Sequence, residues 1–77
     1  MIIHDLERND LEIAIAKLNE SLKLVSNLAA NSVDDAFVAE MDVKSGELTE
    51  LAESLRTTIE LSNVIDFSEY YDRYLRK

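Results

Sequence analysis

The chain contains no cysteine. Disulfide frameworks and thiolate metal sites are therefore both excluded. With His4 as the single histidine, a structural zinc site would need several carboxylate ligands and no thiolate, a set that ion rarely uses. Proline is absent and glycine occurs once, at Gly46, so few residues can break a helix and no Gly-rich loop can cradle a phosphate. No apolar run reaches membrane-spanning length, and Met1-Ile2-Ile3 runs into His4-Asp5 without the basic start of a secretory signal. A cytoplasmic location with no membrane contact is expected. No cofactor or metal is expected either.

What remains is a chain of 77 residues, 47% of them hydrophobic. That is too apolar for a disordered tail and enough for one small domain. A domain of this size buries a modest fraction of its surface, and metals, disulfides or partner chains commonly add support. With the first two excluded, self-association is the expected source. Sixteen acidic residues against eight basic ones give a net charge of −8, which disfavours direct binding to nucleic acid or anionic lipid and suits a partner with a basic or mixed surface. The acidity is concentrated between residues 32 and 62, where eight carboxylates face two cations, Lys44 and Arg56.

Helical periodicity is clearest early in the chain. Leu11, Ile15, Leu18, Leu22, Val25 and Ala29 recur at alternating spacings of four and three, one stripe of a helix with a coiled-coil-like period, which Ala14 and Leu28 widen on one side. Asn9 followed by Glu12 fits a reciprocal cap, so the spacing predicts a helix over 9–30. Asn31 suits a left-handed closing position, and Ser32 can cap the next helix. That helix, a shorter one over 33–43, is expected to carry Val33, Ala36, Phe37 and Met41 on its apolar side. Gly46 offers a stop before a third helix over 47–61, in which Leu48, Leu51, Ala52, Leu55, Ile59 and Ser62 share a side; without a proline the two could also fuse. Asp66 and Glu69 repeat the capping spacing before a last helix over 67–76, where Arg73, Arg76 and Lys77 complement the dipole. No strand signal exceeds Val64-Ile65. The expected fold is all-α: one domain over 1–77, a small antiparallel bundle of three to four helices with a long first helix, dimerising.

Three surfaces stand out. Ile13 and Leu24 point away from the buried stripe of the first helix, with Lys17 and Glu20 between them; they are either scattered exposed aliphatics or a self-association face. Four of the five aromatic residues lie among Phe67, Tyr70, Tyr71 and Tyr74 near the end. There the rings either cap the core or, through Tyr70, Arg73 and Tyr74, form a recognition patch. Asp34, Asp35, Asp42, Glu47, Glu50, Glu53 and Glu60 are either a solvated face or a row of carboxylates standing in for phosphates. Catalysis has little to build on, since no nucleophile has an identifiable base and His4-Asp5 lies at the chain start. The expected function is that of a non-catalytic protein–protein interaction module, a small acidic inhibitor or neutraliser that occludes its partner. The competing readings are a nucleic-acid mimic and a structural or adaptor subunit.

Overall fold

The stripe from Leu11 to Ala29 folds as its period implies, and the elements around it differ from expectation in instructive ways. The computed structural model describes residues 1–76, so Lys77 lies outside the described residues. The chain runs through β1 (Ile2–His4), α1 (Asp5–Asn31), α2 (Asp35–Glu60), β2 (Asn63–Ile65), α3 (Phe67–Tyr70) and a π-helical turn, Tyr71–Leu75. It is dominantly helical, with three helices and two three-residue strands. The three-residue connection at 32–34 returns α2 antiparallel along α1, giving a two-helix hairpin and not, within one chain, a bundle.

α1 starts four residues earlier than the Asn9/Glu12 pattern suggests. His4 is the cap: its Nδ1 accepts from the Glu7 N–H at 3.2 Å, and Glu7 Oε1 accepts from the His4 N–H at 3.2 Å. A reciprocal cap built on histidine satisfies the same orphan donors as one built on serine, and lets the helix run through Asn9. At the other end Asn31 remains helical, and no residue takes a positive φ among the described residues. The chain leaves the helix at Ser32 in an extended conformation instead. Ser32 Oγ accepts from the Asp34 N–H, and Asp34 Oδ1 accepts from the Phe37 N–H at 3.1 Å, so Asp34 is the cap of α2 and Val33 belongs to the loop.

The expected stop at Gly46 does not occur, and the second and third helices are one. The reason lies in the true seam of α2: Val38, Met41, Ser45, Leu48, Ala52, Leu55 and Ile59, spaced alternately by three and four without interruption. All of them are half-buried or buried. Gly46 falls about 100° off this seam. It is exposed, and a Cβ placed on it would meet nothing within 4 Å. The helix therefore loses only the glycine propensity, about 1 kcal/mol, while the seam and the Thr49 hydroxyl on the Ser45 carbonyl at 2.9 Å continue through the position.

β1 and β2 pair in parallel, with Ile2 opposite Asn63, Ile3 opposite Val64 and His4 opposite Ile65. Parallel strands need a long crossover, and here the entire hairpin is that crossover. The pairing was hidden from sequence because each strand has three residues and its partner lies about sixty positions away. Asn63 N–H donates to the Met1 carbonyl at 2.7 Å, and Phe67 N–H donates to Asp5 Oδ1 at 3.0 Å, so the segment that follows α2 is bound to the first residues of the chain. Asp66 caps the terminal helix through the Ser68 N–H at 2.7 Å. From Tyr71 the turn widens, and Arg76 N–H reaches the Tyr71 carbonyl at 2.8 Å.

The core is thin. Among the described residues, Ile3, Ile15 and Ala52 are the buried apolar side chains. The molecule measures 60 × 18 × 16 Å with a radius of gyration of 17.6 Å, where a compact chain of this length would have about 11.5 Å. Its accessible surface is 5723 Å², against about 4,800 Å² for a compact chain of the same mass.

Candidate interaction surfaces

The end of the rod that carries both termini is organised around His4. Its ring meets the rings of Phe67 and Tyr70 edge-on at centroid distances of 5.0 and 4.9 Å. With Nδ1 accepting the cap hydrogen bond, the proton of the neutral ring belongs on Nε2, which lies 3.3 Å from Glu7 Oε1. Nδ1 is thus engaged in the cap. Tyr74 packs on Tyr70 at 5.0 Å and Tyr71 on Phe67 at 6.4 Å. Of the expected recognition trio, Tyr70 is therefore held inside the aromatic cluster and Tyr74 covers it, half-exposed. Arg73 forms an ion pair with Glu69 at 2.6 Å. Met1, Ile2, Tyr70 and Tyr74 line one shallow depression of about 400 Å³.

The shaft is held differently. Every carboxylate–cation pair found among the described residues joins residues three or four apart in the chain: Arg8–Glu12, Lys44–Glu40, Lys44–Glu47, Glu69–Arg73 and Asp72–Arg76. None ties α1 to α2. Along α2 the acidic candidates do not form a single face. Asp34 is spent as the cap, whereas Asp35, Asp42, Glu53 and Glu60 fall within about 20° of one line down the helix. Glu50 stands about 60–80° to one side of that line. Glu47 lies further round still, beside Lys44 at 3.7 Å. No group of three or more His, Asp or Glu side chains able to hold a metal occurs among the described residues, and no described helix is long and apolar enough to cross a membrane.

Two exposed apolar surfaces lie on the shaft. The first is at its far end, where Leu24, Asn27, Leu28, Asn31, Ser32 and Phe37 line a shallow depression of about 570 Å³. Leu28 and Phe37, expected on buried sides, stand open here at 52% and 39% exposure, and Val33 beside them in the loop is fully exposed. The hairpin has only two long helices, so a residue at the edge of either seam finds no third helix to cover it. Leu51 is half-open for the same reason. The second surface is the back of α1, where the structure brings Ile13, Lys17, Glu20 and Leu24 onto one exposed stripe. Leu6 joins them at 53% exposure. Its distance from the buried seam was visible in the sequence; that it extends the opposite stripe was the signal missed.

No protein-family model, curated protein or solved structure matches this chain.

Proposed function

We propose that this chain is a non-catalytic protein–protein interaction module, acting as a small acidic inhibitor or neutraliser that occludes a partner with a basic or mixed surface. The observation that carries the proposal is the open apolar patch at the hairpin end, Leu24, Leu28, Val33 and Phe37, on a molecule with only three buried apolar side chains among its described residues. Exposed aliphatic and aromatic groups grouped round a depression are what a partner's side chains fill, and they contribute most where water is excluded. The net charge of −8 would favour encounter with a basic surface and suppress like-charged partners. A bundle of three to four helices is attainable only by association, since one chain supplies two long helices.

A specific observation also favours phosphate mimicry as a second reading: the line formed by Asp35, Asp42, Glu53 and Glu60. Partner capture with the tagged chain in its native cell, followed by affinity measurement on the purified partner, separates the two. Paired Leu28→Asp and Phe37→Asp substitutions should weaken binding by about tenfold or more if the apolar patch is the contact. Retention of binding by that variant and its loss on Asp42→Lys, Glu53→Lys and Glu60→Lys would transfer the function to the acidic line. Recovery of the chain alone would favour a structural subunit.

A further inference from the structure

The back of α1 carries a pattern that the fold leaves unused. Leu6, Ile13, Lys17, Glu20 and Leu24 fall within about 60° of one another round the helix, on the side turned away from α2, and all are exposed. Along the stripe the order Ile13, Lys17, Glu20, Leu24 is apolar, cation, anion, apolar, at spacings of four, three and four. The pattern is symmetric about the point between Leu18 and Asn19. Turned end for end about that point, Ile13 falls on Leu24 and Lys17 falls on Glu20, while Leu6 falls on Asn31, which lies on the same line.

We propose that two copies of the chain pair through this stripe, α1 antiparallel to α1, with Ile13 of each packed on Leu24 of the other and Lys17 of each paired with Glu20 of the other. A two-fold interface must be complementary to itself, because the same surface serves both sides. This stripe meets that condition in charge as well as in the placing of its apolar residues. The direction comes from the same residues: a parallel pairing would set Lys17 against Lys17 and Glu20 against Glu20, whereas the antiparallel one sets each against its opposite. Neither Lys17 nor Glu20 has an opposite charge within ion-pairing distance in its own chain, among the described residues.

Area points the same way. The surface in excess of a compact chain of this mass is about 900 Å². A stable complex of ordinary size removes about 800 Å² from each partner. Pairing two hairpins along this stripe also sets four long helices side by side, with α1 of each chain covered on two faces. Leu24 belongs to both surfaces, whereas Leu28 and Phe37 lie outside the stripe, so substitutions at those two separate this pairing from the proposed binding of another protein.

Sedimentation of the full-length protein over a concentration series tests the pairing, with circular dichroism confirming that each variant stays helical. The wild type should be dimeric at tens of micromolar. Lys17→Glu alone and Glu20→Lys alone should each raise the dissociation constant by about tenfold or more, since each turns two attractions into two repulsions. The double variant should dimerise like the wild type, and a mixture of the two single variants should form a mixed dimer. Ile13→Asp should give a helical monomer. A wild type that stays monomeric at about 100 µM, or single reversals that leave dimerisation unchanged, would overturn the pairing. So would failure of the two single variants to associate with each other. Leu28→Asp with Phe37→Asp should leave it intact.

Discussion

The two ends of this rod are held by different physics. Near the termini, the strand pair, the Asp5–Phe67 hydrogen bond and three packed rings fix the chain through directional contacts between residues about sixty positions apart, and the His4 cap anchors the helix start beside them. Along the shaft, α1 and α2 meet through an apolar seam with no ion pair across it among the described residues, and beyond the strands the buried points are Ile15 and Ala52. Directional bonds specify one geometry, whereas a thin seam of aliphatic contacts is tolerant of small shifts. The terminal end thus sets the register of the hairpin. The shaft keeps its flanks available.

Ile15→Ala should destabilise the whole molecule by about 2–3 kcal/mol, toward the lower end of the range for buried aliphatics because half-exposed neighbours can relax into the space. Chemical denaturation would report it as a lowered midpoint with helix lost in one transition. A change below half a kcal/mol would mean that the shaft is not held by its seam.

His4→Ala should act locally and less strongly, by about 1 kcal/mol for the lost cap. Its expected signature is faster amide exchange in residues 5 to 8 and 63 to 70, with protection of the shaft from Leu18 to Leu55 unchanged. Uniform loss of protection would erase the distinction between the two regions. Gly46→Ala is the smallest test and has the opposite sign: about 0.5–1 kcal/mol of stabilisation, seen as a raised midpoint, because an exposed mid-helix position gains propensity without new contacts. A destabilising effect would mean that the helix does need a glycine there.

These outcomes also mark what the sequence made legible. The α1 seam could be read entirely, since six aliphatic residues at regular spacing leave little choice of face. The α2 seam could not, because it passes through Ser45, a polar residue at a buried-side position, just where Gly46 invites a break. The start of α1 was masked by a second capping pattern, Asn9 with Glu12, lying inside the helix that His4 and Glu7 begin. Strands as short as β1 and β2 have no periodicity to detect, and their pairing depends on the hairpin having already returned the chain. Of the surfaces, the Ile13/Leu24 stripe was evident from helical geometry alone. The patch at Leu28 and Phe37 was not, since an apolar residue beside a seam looks buried until the number of helices covering it is known.

The parallel strand pair makes the fold a gauge of its own helix lengths. α1 has 27 residues and α2 has 26, so the chain comes back level with its start and Ile3 meets Val64. One residue added within either helix advances the far end by about 1.5 Å and rotates it by about 100°, which would carry β2 off β1 and turn Phe67 away from His4. Insertions in the loop at 32–34 have no such effect, because that loop lies beyond both helices. Sequence drift in this protein should therefore exchange residues along the exposed sides of the shaft outside the proposed interfaces, tolerate length changes in the 32–34 loop better than within either helix, and conserve the residue count of each helix.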